Sequence, residues 1–294
     1  MRPAARRGGA RNIAPSSAGI VRGTGGVMLT QVRAFVSDKK RMSRITEGLG
    51  GLLARAEDAG MFERAPAFIR RYQGDYPGLS ALEAGYPDIR RECEALVRIR
   101  HRLVDVESLA GKYTTGGIHA IAWKALMFKS HRFIEENCAL APRTAELLRG
   151  IPGLYTAFFS VLEGGQYITP HWGYWKGFLR YHLGVLIPND NVDRSCWLRV
   201  NPDAHDNARR DTALVERGET YHWKEGEGVM FDDTFLHDAQ NASDQVRVIL
   251  WLDIRRKMPP YLDAINAMLL EIAHRAPSVV AVRKNAVIRL EGPL

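Results

Sequence analysis

Five side chains stand out for the chemistry their types and spacing could support. His171 lies in "TPHWG" and His237 in "FLHDAQN". Arg180 and His182 interrupt an apolar run from Leu179 to Ile187, and Arg247 interrupts a second one, "QVRVILWLDI". Desolvating an arginine is costly unless an anion meets it. The two arginines also repeat a spacing: Arg180 follows His171 by nine residues, and Arg247 follows His237 by ten. Two imidazoles brought together from separate strand ends would bind a divalent metal. Imidazole suits Fe(II), and open coordination positions are what oxygen chemistry needs. An arginine fork would then hold the far carboxylate of a chelating 2-oxo acid, with a neighbouring imidazole as a further donor. The generic iron triad places a carboxylate two residues after the first histidine, but Gly173 stands there. Simpler readings remain open for each residue. His171 could cap a loop, Arg180 and Arg247 could pair with buried acids, and His182 could hydrogen-bond within a core. Asp232 and Asp233 read as turn residues that orient His237 from behind.

These side chains need a scaffold of strands. In Leu179–Ile187, Arg180 and His182 share one face, and Leu179, Tyr181, Leu183, Val185 and Ile187 share the other. The apolar face should pack on a second layer, leaving the polar pair in a pocket. From residue 152 onward, short runs such as "LYTAFFSVL", "GQYITPHW", "SCWLRV", "TYHW" and "GVMFDD" alternate with Gly, Pro, Asn and Asp. That texture predicts a β-sandwich or barrel. Upstream, "ITEGLGGLLARAED", "MFERAPAFIRRY", "YPDIRRECEALVRIRHRLVDV" and "PRTAELLRGI" predict helices. A last helix is expected near Pro260 to His274. The organisation is therefore a basic, disordered tail over 1–33, a helical region over 34–151, a β core over 152–257, and a C-terminal helix and tail over 258–294. "RKMPP" and the paired arginines read as solvated surface.

Composition narrows the class. The chain has 294 residues, 46% of them hydrophobic, which is ample for one sizeable core. Its formal charge of +8 falls to +2 once the six arginines of the acid-free segment 1–33 are set aside. A nucleic-acid surface is therefore not expected. The head resembles an organelle transit peptide in composition but reads as a tail, with Met28 opening a more ordinary sequence. Cys93, Cys138 and Cys196 are odd in number and far apart, so a reducing, cytoplasmic setting is expected. No apolar run has the length of a membrane span.

In order along the chain stand "PHWG", "LRYHLGVLIP", "FDDTFLHDAQN" and Arg247. This series resembles the aspartyl/asparaginyl β-hydroxylase family over about residues 110–257. The resemblance implies an α+β chain: a double-stranded β-helix core, jelly-roll or cupin-like, with flanking helices that are mainly N-terminal. It implies a non-haem iron dioxygenase using Fe(II), 2-oxoglutarate as cosubstrate, and O2. In that family glycine occupies the position of Gly173, and two histidines suffice for iron. By resemblance, His171 and His237 are the metal ligands and catalytic centre. Arg180, His182, Arg247, Ser160 and Trp123 fall among the groups that meet the cosubstrate. The implied reaction is hydroxylation of an unactivated C–H, the β-carbon of an Asp- or Asn-like residue, releasing succinate and CO2. The substrate could be a small molecule, carrier-bound, or a peptide. A lipid acyl-chain hydroxylase of the same family ranks second. A non-catalytic jelly-roll binding module, a cupin-type isomerase and a two-histidine zinc hydrolase are the readings from other classes.

Overall fold

Strands of this chain sort their side chains into two environments, and the fold follows from that sorting. In the computed structural model of the protein, the described residues are 51–110, 121–275 and 277–288. They belong to one compact unit, Met42–Leu294. The expected tail over 1–33 lies outside the described residues.

The larger sheet contains β1 (Val104–Asp105), β2 (Trp123–Ser130), β3 (Arg132–Phe133), β4 (Leu154–Leu162), β6 (Phe178–Leu186), β9 (Gly228–Phe231) and β11 (Arg247–Arg255). Its order is β1-β2-β4-β11-β6-β9, with β3 paired to β2. The smaller sheet is built from β5 (Gln166–His171), β7 (Cys196–Asn201), β8 (Glu219–His222) and β10 (Leu236–Asn241), in the order β5-β10-β7-β8. All ladders within the sheets are antiparallel. From β4 to β11 every connection except β7–β8 passes between the two sheets, and the expected double-stranded β-helix core is present.

The outer face of the larger sheet is apolar throughout. Leu126, Phe128, Phe159, Val161, Leu179, Tyr181, Leu183, Val248, Leu250 and Leu252 pack there against Leu79, Leu82, Ile89, Cys93 and Leu96. The last five come from the helices Gly78–Ala84 and Tyr86–Val97. Each such side chain contributes about 1.5–3 kcal/mol on burial. This is the second layer that strand parity demanded for the Leu179–Ile187 run. Between the sheets lies a different core, in which Val229, Phe231 and Ile249 meet Ile168, Leu198, Val200 and Ala239. The polar inner-face residues open into this space.

Three expectations need correction. The sheet does not begin at 152, because β2 already lies in the stretch expected to be helical. Ala125, Leu126, Met127 and Phe128 are all buried, so β2 has apolar contacts on both faces and shows no period by which sequence could identify it. "MFERAPAFIRRY" is not a helix. Pro66 lacks the donor that a helix interior requires and biases Ala65 toward extended backbone. Instead, the Ile69 amide donates to the Met230 carbonyl at 2.7 Å, extending the sheet beyond β9. Arg256 is not solvated surface: it is 4% exposed.

Candidate active site

The ends of β5 and β10 bring the two histidines together. His237 and His171 are direct partners in the antiparallel ladder, and their ring centroids are 4.1 Å apart. Both rings are oriented by the same local device. His171 Nδ1 lies 2.8 Å from the Thr169 carbonyl, and His237 Nδ1 lies 2.7 Å from the Phe235 carbonyl. A carbonyl can only accept, so each Nδ1 carries the proton and each Nε2 keeps a lone pair. Neutral rings with the outer nitrogen fixed by a carbonyl are the form in which histidine binds a metal. Burial lowers the His171 pKa to about 4, with Arg180 adding to the effect. Burial, then His171 and Arg180, holds His237 well below the usual range. Both rings are therefore uncharged at neutral pH, with the single proton on Nδ1.

No carboxylate completes a three-ligand cluster with this pair among the described residues. The packing at Gly173 gives a reason. Its amide donates to the Asp233 carbonyl at 2.7 Å. A Cβ placed on Gly173 would overlap Asp233 Oδ2 and stand 2.8 Å from the Asp233 carbonyl oxygen. Glycine is thus required by close approach, and the space a triad carboxylate would fill holds the Asp233 side chain.

Deeper between the sheets lies a set of polar atoms that the described residues do not satisfy. Arg247 is 1% exposed, stacks over Trp223 at 4.7 Å, and has no partner for Nε or Nη2. His182 is buried with neither ring nitrogen hydrogen-bonded, and Trp223 Nε1 is likewise free. Burial lowers the Arg247 pKa to about 10. Burial, then Arg180 and Arg247, depresses His182 strongly. Phe231 stands between these donors and the histidine pair, its ring 5.1 Å from His182 and 5.6 Å from His237. Ser160, on neighbouring β4, accepts from Trp123 Nε1 at 2.8 Å, which leaves its own hydroxyl proton to donate. Unmet buried donors are costly unless an anion meets them. A carboxylate fits this donor set.

Arg180 is different. Its Nη2 meets Asp233 at 2.8 Å, its Nε meets Asp253 at 3.1 Å, and its guanidinium lies 4.0 Å over Trp251. Asp253 is its cross-strand partner on β11. The protein's own acids answer this charge, whereas no acid among the described residues answers Arg247. Asp233 is pushed up to about 7, by burial first and then by Asp253 and Asp232, against the pull of Arg180. Neither acid of the "FDD" corner orients His237 as expected, since the Phe235 carbonyl does so.

Sequence reasoning missed the network beneath this corner. Asp232 accepts from Lys176 at 2.8 Å and from Arg256 at 2.6 Å. Glu57 meets the same two cations at 2.8 and 2.9 Å. All four are buried. They fasten the loop after His171 and the corner before His237 to the 51–58 helix. Four distant charges leave no local pattern; the one available sign was Lys176, a lone cation among the apolar residues of "YWKGF".

Comparison with known proteins bears on this arrangement. The profile described as aspartyl/asparaginyl beta-hydroxylase matches residues 83–257, more than half of the chain. An ornithine lipid ester-linked acyl 2-hydroxylase of Rhizobium tropici is 29% identical over 205 residues, covering 69% of this chain and 66% of that protein. The human aspartyl/asparaginyl beta-hydroxylase is 26% identical over 133 residues, 44% of this chain and 15% of that one. The mouse aspartate beta-hydroxylase domain-containing protein 2 is 32% identical over 130 residues, 41% and 32% of the respective chains. This chain thus spans about two thirds of the bacterial relative and a third or less of the animal ones. Among solved structures, the non-heme alpha ketoglutarate dependent carbocyclase SnoK aligns with a TM-score of 0.32 at 16% identity, over 46% of this chain and 63% of that one.

Proposed function

This chain belongs to the aspartyl/asparaginyl beta-hydroxylase family, and from that premise we propose that it is an Fe(II)- and 2-oxoglutarate-dependent hydroxylase. The observation that carries the reading is the pairing of two neutral imidazoles with a set of buried, unmet donors, His182 one aromatic ring away from His237 and Arg247 over Trp223. His171 and His237 would hold the iron through Nε2. Arg247 would take the distal carboxylate of 2-oxoglutarate, with Ser160 and His182 donating beside it. Trp123 acts through Ser160, fixing the hydroxyl rotor so that its proton is left to donate. Arg180 braces Asp233 and Asp253 and thereby the Gly173 corner. When bound, iron, 2-oxoglutarate and O2 together supply the insertion of one oxygen into a C–H bond, with succinate and CO2 as the other products. The chain's own contribution is orientation, neutral ligands and a set of buried donors. Protonation of either imidazole would remove the lone pair the metal needs.

The substrate read from the family is the β-carbon of an Asp- or Asn-like residue, free, carrier-bound or peptidyl. One observation favours a second substrate, a lipid acyl chain. Tyr261, Ile265, Met268 and Ile272 form an exposed apolar ridge on the Pro260–Ala273 helix. That helix holds the loop after His171 through Asn266, whose Oδ1 accepts from Trp175 Nε1 at 3.1 Å. The lipid-acting relative also aligns over more of this chain than the two animal relatives do. Among the described residues no helix is long and apolar enough to cross a membrane. The deciding experiment supplies Fe(II), 2-oxoglutarate and air with either Asp- and Asn-containing peptides or acyl lipids in vesicles. Succinate and a gain of one oxygen are read by mass spectrometry. Succinate formed by the native protein but not by His171→Ala supports the oxygenase. Absence of succinate with every candidate, together with no 2-oxoglutarate binding, would sink it in favour of a binding module.

A further inference from the structure

A second cluster of metal-capable groups sits on different elements from the His171–His237 pair. His131 occupies the turn between β2 and β3 with a left-handed backbone, φ 59°. Its ring stacks on that of His274, at the end of the Pro260–Ala273 helix, with centroids 3.8 Å apart and planes 11° apart. Glu271, one helical turn before His274, places Oε2 3.5 Å from His131 Nε2 and 3.6 Å from His274 Nδ1. Its other oxygen accepts from Arg275 at 3.3 Å. His274 is 5% exposed, and its Nδ1 has no hydrogen-bond partner. A packed imidazole therefore aims an unsatisfied nitrogen at a carboxylate that stands too far away for a hydrogen bond.

Those separations suit an ion better than a proton. Ligand atoms around a tetrahedral zinc, with bonds of about 2.1 Å, stand about 3.4 Å apart. The three ligand atoms here all lie within 4.8 Å of one another. We propose that His131, Glu271 and His274 bind a divalent transition cation of the zinc type, with water as the fourth ligand on the open Glu271 side. An ion lies near the plane of any imidazole that binds it, so binding draws the two rings out of their parallel stack. His131 is the ring that moves, because it lies on a tight turn with 22% of its side chain exposed, against 6% for His274. The consequence is structural. The ion would tie the sheet to the helix that carries Asn266, whose amide also donates to the Gly177 carbonyl at 2.9 Å. That contact holds the loop following His171.

The test uses the full chain carrying His171→Ala and His237→Ala, so that the other imidazole pair takes no metal. Zn2+ is titrated in competition with a chromophoric chelator, and melting temperature is followed with and without Zn2+. The site predicts one Zn2+ per chain and a higher melting temperature when it is bound. Glu271→Gln, at a position with 49% side-chain exposure, keeps the fold and weakens Zn2+ binding by at least about 100-fold, the upper range for loss of an outer-sphere partner. His131→Asn, which tolerates the left-handed turn, does the same. If the double variant takes up no Zn2+, or takes it up equally well after Glu271→Gln and His131→Asn, the site does not exist. Because the double variant lacks the proposed iron ligands, this result is independent of the oxygenase reading.

Discussion

Arg180 and Arg247 lie on neighbouring strands of one sheet, on the same inner face, and the protein treats them in opposite ways. Arg180 is gripped by Asp233 and Asp253 and stacked on Trp251. Arg247 is more deeply buried and meets no acid among the described residues. The first arrangement is complete in itself and holds a corner in place. The second is complete only when something anionic arrives. Two arginines with the same sequence context therefore separate into an ion-paired brace and a buried cation with unmet donors, and the difference lies in what faces them across the strands.

The comparison predicts opposite responses to the same substitution. Arg180→Met strands two buried carboxylates and should lower unfolding free energy by about 3–5 kcal/mol, read by urea denaturation. Arg247→Met removes a buried charge that has no partner, so the cosubstrate-free protein should be no less stable, and equal losses at both positions would erase the distinction. Gly173→Asp sharpens the same point at the corner that Arg180 braces. The new side chain runs into Asp233, so overpacking should cost about 1–3 kcal/mol or more, with no gain in Fe(II) affinity. A tighter iron site in that variant would mean that Asp233 can move aside. At the Arg247 end, Ser160→Ala deprives Trp123 Nε1 of its acceptor and should cost about 1 kcal/mol in stability, alongside a weaker hold on 2-oxoglutarate.

A further effect, which grows with acidity, is that of pH on the metal-free protein. The unfolded chain takes up protons on His171 and His237 near pH 6.5, while the folded chain resists, with His171 held near 4 and His237 depressed further in the same direction. Stability is therefore full above about pH 6.5 and declines as pH falls through that value toward 4. A melting-temperature profile should show this slope, and His171→Gln should flatten it.

Much of this was legible in the sequence. Strand parity alone put Arg180 and His182 on one face, and the order of motifs gave both histidines and the tolerated Gly173. Parity also held an unused clue. Asp253 shares the face of Arg247, Ile249 and Trp251, so an acid was available to one of the two arginines. Which arginine it meets depends on the β6–β11 register, which pairs Asp253 with Arg180, and register is a tertiary property. Strand β2 escaped because it is buried on both faces. The Glu57–Lys176–Asp232–Arg256 network escaped because its members come from four separate segments, and only Lys176 stands among apolar neighbours.

The central claim is that Arg247 is the anion-binding group of an iron site built by two histidines. Its most direct test is titration of 2-oxoglutarate into the Fe(II)-loaded protein without oxygen, followed through the visible metal-to-ligand charge-transfer band, for the native chain and for Arg247→Met. The account predicts a band in the native protein, and cosubstrate binding weakened by about 2–5 kcal/mol in the variant. Unchanged affinity in Arg247→Met, or no band in the native protein, would contradict it.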